Sequence, residues 1–179
     1  MPPAESALVV FVPEAEPAVR RFRERFDPSA AAGCAAHITL LYPFKPPGEI
    51  DAGVRADLER CFAGVGPIRF SLGRTRRFPG VLYLAPDPAE PFRRLTIAIA
   101  ERYPETPPYG SRHADIVPHL SIAQVADEEH LDRIAAEFAH AAARGLPGEA
   151  VAREVALIDT RSGLWQVRAS FSLGREKRS

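Results

Sequence analysis

Two short stretches of this chain carry the residue types that acid–base chemistry uses. "HITLLYPF" (37–44) opens on His37 and places Thr39 two residues later. "HLSIAQ" (119–124) does the same with His119 and Ser121, 82 residues further on. Both read as strands, and on a strand residues i and i+2 share a face. Each histidine therefore points the same way as its hydroxyl partner, while Ile38, Leu40, Leu120 and Ile122 point to the face that helices can cover. Two opposed imidazoles suit phosphoryl transfer. With an unperturbed pKa near 6.5, one ring can be neutral and take a proton from the attacking group while the other, protonated, gives one to the leaving oxygen. The hydroxyls of Thr39 and Ser121 can hydrogen-bond the non-bridging oxygens and offset developing charge.

A single His-x-Thr on a sheet is most often a histidine with its hydrogen bonds satisfied locally. The pair counts for more because it sits inside a wider repeat. "VVFVPEAEPAVRRF" (9–22) resembles "VLYLAPDPAEPFRRL" (81–95): a strand, an acidic–proline turn, then a helix with an Arg pair, each followed by its histidine strand. Two similar lobes packed as pseudo-symmetric partners would face the motif strands toward each other. A zinc site would want a third ligand. Asp115 and His113 precede the second motif, but the first has no such companion, so no metal and no cofactor are expected.

The elements that must position these groups follow from periodicity. "ALVVFVP" (7–13) reads as a buried strand and "EPAVRRFRERFD" (16–27) as a helix with Val19, Phe22 and Phe26 inward. "EIDAGVRADLERCFAG" (49–64) is helical and stops at Gly64. "PIRFSLGRTRRF" and "GVLYLAP" form a hairpin turning near Pro79 and Gly80. "DPAEPFRRLTIAIAERYP" is a helix, "ETPPYGSRHAD" a proline-rich loop and "IVPHLSIAQV" the second motif strand. "DEEHLDRIAAEFAHAAARG" is an amphipathic helix capped by Asp and ended by Gly145. "AVAREVALIDT" and "GLWQVRASFSLG" close the chain as a hairpin, with Trp165, Val167, Ala169, Phe171 and Leu173 alternating on one face.

Other groups are weaker candidates. Tyr42, Phe44 and Tyr83 can stack on bases, although strand parity turns Tyr42 away from His37 unless the strand bulges. Arg76, in the strip "GRTRRF" (73–78), can face phosphates. His113 lies in a loop that can touch substrate. Trp165 reads as core, and His130 and His140 as exposed on the last helix.

Composition bounds the rest. The 179 residues carry 23 Lys+Arg and 23 Asp+Glu, so bulk charge does not hold this protein to nucleic acid and an anionic ligand must be met locally. The basic residues are arginines apart from Lys45 and Lys177. Cys34 and Cys61 read as reduced thiols packed as small apolar groups rather than a disulfide framework. No apolar run reaches the roughly 18 residues of a membrane helix, and the N-terminus lacks a basic signal-peptide region. A cytoplasmic monomer with no membrane partner is the expectation.

The two H-x-[ST]-aliphatic motifs, about 80 residues apart in a chain of about 180, resemble the two-histidine phosphoesterase superfamily, nearest its 2'-5' RNA ligase and cyclic phosphodiesterase-like branch. The resemblance spans the chain. It implies an α+β fold of two pseudo-symmetric lobes, each an antiparallel sheet with outer helices, forming a central cleft. It also implies metal-independent hydrolysis of 2',3'-cyclic phosphates, on RNA 3' ends or small nucleotides, to 2'-phosphates. His37 and His119 map onto the catalytic histidines, Thr39 and Ser121 onto the phosphate-binding hydroxyls. Some members also join RNA ends through 2'-5' linkages as the reverse reaction. Gln124 stands five after the second histidine, where many ligase-type members have a basic residue, which weighs against ligation more than cleavage. The rival from another class is a non-catalytic RNA- or nucleotide-binding module.

Overall fold

The computed structural model describes residues 2–111, 115–146 and 148–174. It contains two four-stranded antiparallel sheets. One has the order β2-β1-β7-β8, from β1 (Ser6–Phe11), β2 (His37–Leu41), β7 (Glu154–Asp159) and β8 (Gln166–Ser172). The other has the order β5-β4-β3-β6, from β3 (Ile68–Phe78), β4 (Val81–Asp87), β5 (Leu120–Gln124) and β6 (Ala150–Ala152). The helices are α1 (Glu16–Phe26), the single turn α2 (Pro28–Ala31), α3 (Ala52–Ala63), α4 (Glu90–Arg102) and α5 (Glu128–Ala142). The expected α+β architecture with two sheet-based lobes is therefore observed. Among the described residues no helix is long and apolar enough to cross a membrane.

The repeat is real in three dimensions. β1-α1-β2 and β4-α4-β5 build the same edge of their respective sheets, with each motif strand outermost, and β2 and β5 lie against one another. The helices are exchanged. α1 packs on β5 of the other lobe and α4 packs on β2. One continuous core results, in which Leu8, Val10, Ile38 and Leu41 of one sheet join Leu82, Leu84, Leu120 and Ile122 of the other, with Phe22 and Phe92 from the exchanged helices. The apolar half of each motif thus anchors its strand beneath a helix from the opposite lobe, and this holds the two motifs in fixed relation.

Helix limits follow local chemistry. Asp51 caps α3 by accepting the Val54 N–H (2.9 Å), so Ile50 precedes the helix rather than lying within it. Asp127 caps α5 by accepting from the N–H groups of Glu129 and His130. The closing hairpin differs from expectation. Its first arm breaks at Arg153: β6 pairs with β3 in one sheet, and β7 pairs with β1 and β8 in the other. A buried segment joining two sheets satisfies both ladders only by such a crossing. The alternation along β8 also fails at its start. Arg168 is an extra residue opposite the Leu157/Ile158 step, and Val167 is 53% exposed while Phe171 and Leu173 remain in the core.

Candidate active site

Both motif strands bulge at the same place. Val9 pairs with Thr39 but Leu8 with Leu41, leaving Leu40 as the extra residue. Tyr83 pairs with Ser121 but Leu82 with Ala123, leaving Ile122 as the extra residue. A bulge admits two successive residues to one face and inverts the parity beyond it. Leu40 and Leu41 both enter the core, as do Ile122 and Ala123. The residue five after each histidine, Tyr42 or Gln124, returns to the histidine's face. The expectation that Tyr42 points away from His37 is corrected by this geometry.

The two faces line one pocket of about 380 Å³ that contains His37, Thr39 and Tyr42 from one lobe and His119, Ser121 and Gln124 from the other. The imidazoles are fixed alike. Nδ1 of His37 lies 2.7 Å from the Ala35 carbonyl, and Nδ1 of His119 lies 2.7 Å from the Val117 carbonyl, each the residue two positions earlier. A carbonyl only accepts, so Nδ1 carries the hydrogen in both rings and Nε2 becomes the nitrogen that exchanges a proton. Around them, Phe11 meets His37 edge-on, and Phe78 and Tyr83 meet His119 edge-on.

Burial pushes the His37 imidazole down to about 4. The bond to Ala35 acts in the opposite direction, and the charges of Arg23 and His119 reinforce the fall. His37 is thus neutral at neutral pH. Between pH 6.5 and about 4 the unfolded chain takes up a proton that folded His37 refuses, so this residue makes stability rise with pH across that window and fall on acidification through it. In an NMR titration, His37 is expected to stay neutral down to about pH 4. A ring that titrates near 6.5 in the folded protein contradicts this. Beside it, the Cys34 sulfur lies 3.2 Å from the same Nδ1, and burial pushes that thiol up to about 12, which keeps it a neutral neighbour.

Several lining groups escape a reading of sequence alone. Tyr109, from the loop before β5, sits at φ 51°, in the left-handed region that a non-glycine residue adopts at a cost of roughly 1–3 kcal/mol. Its N–H donates to the Tyr42 carbonyl (2.7 Å), and its ring lies stacked 6.3 Å from His119, so it ties the end of β2 to the second motif. Glu5 accepts the Tyr42 hydroxyl (2.8 Å). Asp27, Ser29 and Cys34 supply a wall beside His37. Behind that wall, Arg23 is 2% exposed and donates to Asp27, to the Ser29 hydroxyl and to the Cys34 carbonyl, each at 3.1 Å. The Arg23–Asp27 spacing of four within a helical stretch is the signal that could have found this pair. Tyr109 has none beyond its turn-rich surroundings.

The structure separates the remaining candidates. Phe44 does not reach the pocket: it is 5% exposed and packs edge-on against Tyr103 in the core. Tyr83 is 4% exposed, with one ring face stacked on Phe78, and lines a neighbouring groove together with Arg76. Trp165 is not core alone. It packs on a smaller apolar cluster, lines the pocket and meets Tyr42 edge-on at 6.1 Å. His140 is exposed as expected, but His130 is half-buried against the Phe26 ring. His113 lies outside the described residues, and among those described no three side chains converge as a metal site.

Two lobes that face paired His/hydroxyl strands across one pocket define the class to which comparison then points. The model of the 2'-5' RNA ligase superfamily matches residues 11–164, and the chain belongs to that family, whose membership supports an enzyme of the phosphoesterase/ligase kind. No curated protein matches the chain. Its fold is similar to that of TT0787 from Thermus thermophilus, at 22% identity and a TM-score of 0.59, over 96% of this chain and 100% of that one. It is also similar to a structure described as a phosphoesterase, at 14% identity and a TM-score of 0.58, over 97% of this chain and 100% of that one. E. coli LigT complexed with 3'-AMP is similar at 15% identity and a TM-score of 0.58, over the same shares of the two chains.

Proposed function

We propose that this protein hydrolyses a 2',3'-cyclic phosphodiester on an RNA end or nucleotide by two-histidine acid–base catalysis. The observation that carries the reading is the pair of Nδ1-anchored histidines, each with a hydroxyl two residues on, brought from two lobes into one pocket. The LigT complex with 3'-AMP is consistent with a nucleotide occupying such a cleft.

His37, neutral at pH 7, takes the proton from water through Nε2 as the water oxygen bonds to phosphorus. The bond from phosphorus to the 3'-oxygen breaks, and the electron pair of that bond goes to the oxygen. His119, entering as imidazolium, supplies the proton that makes the 3'-hydroxyl, leaving a 2'-phosphate. Thr39 and Ser121 donate to the non-bridging oxygens, where charge grows in the transition state. With a 5'-hydroxyl in place of water as the attacking group, the same steps join two ends through a 2'-5' linkage, with each histidine keeping its role; cleavage of that linkage back to the cyclic phosphate exchanges the roles.

The test is turnover of a 2',3'-cyclic nucleotide with EDTA present. Hydrolysis to the 2'-phosphate is expected to survive the chelator. Thr39→Val and Ser121→Ala are each expected to lower kcat by about 10²-fold, in the range of a lost transition-state donor. Loss of activity on chelation, restored by a divalent cation, counts against the mechanism. So does full activity in both hydroxyl variants.

A further inference from the structure

A second groove, with a volume of about 700 Å³, opens on the lobe that carries the second motif. It is lined by Arg74, Arg76 and Arg93 together with Tyr83, and its lining includes Val117 and Pro118, the two residues before His119. The Val117 carbonyl is also the acceptor for His119 Nδ1, so the groove lining includes the residue that anchors one of the pocket's histidines.

Register shows how the arginines come to face this way. Residues directly opposite in an antiparallel ladder point to the same face. Ser121 is opposite Tyr83, and Tyr83 is opposite Arg76, so these three form one row on the motif face. Arg74 lies on the same face as Arg76, two residues away on β3. With strands about 4.8 Å apart, the Arg76 backbone stands roughly 10 Å from that of Ser121. The strip "GRTRRF" is thereby sorted by parity. Arg77 turns to the other face and pairs with Asp132 of α5, whereas among the described residues neither Arg74 nor Arg76 has an ion-pair partner. Arg93 is near Glu90 (3.7 Å), and Asp87 is the acidic residue in the groove lining, so arginine outnumbers it there.

Among the described residues, the other lobe carries no such row of arginines on its motif face. Its equivalent row runs Thr39, Val9, Ala156, Ser170, with no cation. The pseudo-symmetry that duplicates the histidines is broken in charge on one side.

We infer that the Arg74/Arg76/Arg93 groove binds the phosphates of single-stranded RNA immediately 5' of the terminal nucleotide, making a polynucleotide end the preferred substrate over a mononucleotide. The inference rests on the phosphoesterase reading for where the chain end sits. A terminal 2',3'-cyclic phosphate has further nucleotides only on its 5' side, so a chain whose end occupies the histidine pocket must leave it in one direction. The basic groove supplies a path whose charge matches it.

The experiment measures binding by fluorescence anisotropy and turnover on the same proteins. The probes are a 5'-fluorescein pentaribonucleotide ending in a 3'-phosphate, a nucleoside 3'-monophosphate as competitor, and a 2',3'-cyclic mononucleotide as substrate. Wild type is expected to bind the pentamer at least about tenfold more tightly than the monophosphate. Arg74→Gln/Arg76→Gln is expected to remove that preference and to make the salt slope of pentamer binding shallower by about 1–2, while kcat/KM on the cyclic mononucleotide stays unchanged. Arg77→Gln removes the same charge one residue away on the opposite face and is expected to leave pentamer binding intact. Equal affinity for pentamer and monophosphate overturns the groove assignment, as does an Arg77→Gln loss equal to that of the double variant. Arginine-dependent pentamer binding without hydrolysis of any cyclic substrate supports the groove and rejects the reaction instead.

Discussion

Replacing His37 or His119 by alanine is expected to lower kcat on a 2',3'-cyclic nucleotide by about 10²–10⁴-fold, the span of a lost general acid or base. Each ring is held through Nδ1 to a carbonyl two residues back, and no other imidazole lies among the described lining residues to replace it. The double variant is expected to fall little below the worse single one, because the two groups serve one proton-transfer step and their effects are not additive. Asparagine is the control for architecture. Its amide can still donate to the Ala35 or Val117 carbonyl but cannot relay a proton, so His37→Asn and His119→Asn should fold normally and remain as inactive as the alanine variants. This control matters at His119, where Phe78 and Tyr83 pack against the ring. If either histidine can be removed with less than a tenfold loss in a folded protein, the acid–base pair is wrong.

The second large effect is on stability. Arg23→Met is expected to destabilise the fold by about 3–5 kcal/mol, since it leaves the Asp27 carboxylate buried without its guanidinium. Arg23 and Asp27 are 2% and 6% exposed, and the same arginine also holds Ser29 and the Cys34 carbonyl. Those residues form the wall beside His37, so the pocket should loosen with the fold. Removing both charges is less costly than stranding one, and Arg23→Met/Asp27→Asn should recover part of the loss. Urea unfolding of the three proteins measures this directly. A single-variant loss under about 1 kcal/mol shows that the pair does not secure the wall.

The candidate site is legible in the sequence to the extent that it is periodic. His37 with Thr39 and His119 with Ser121 follow from the two-residue strand period, and the repeated strand–turn–helix unit marks both motifs as equivalent. The helices are readable from their apolar spacing, and α5 from its Asp127 cap. Phe44 departs from expectation because an aromatic residue after a motif strand looks the same whether it faces ligand or core. Here it is buried against Tyr103. Trp165 does both, packing on the smaller apolar cluster while lining the pocket, because the extra residue at Arg168 shifts the face pattern along β8.

What the sequence by itself determined is therefore local: which segments are strands, which residues share a face while the alternation is unbroken, and that one unit occurs twice. Tertiary structure decided everything that depends on an interruption or a partner. The bulges at Leu40 and Ile122 returned Tyr42 and Gln124 to the pocket, because each sheet seats two successive apolar residues in the core. The exchange of α1 and α4 between lobes set the motifs face to face, a long-range contact with no local signature. Pairing of β3 with β4 and α5 sorted the arginines of "GRTRRF", leaving Arg74 and Arg76 on the motif face and Arg77 with Asp132. A two-residue period gives the relative directions of side chains within a strand, and only packing says what those directions face.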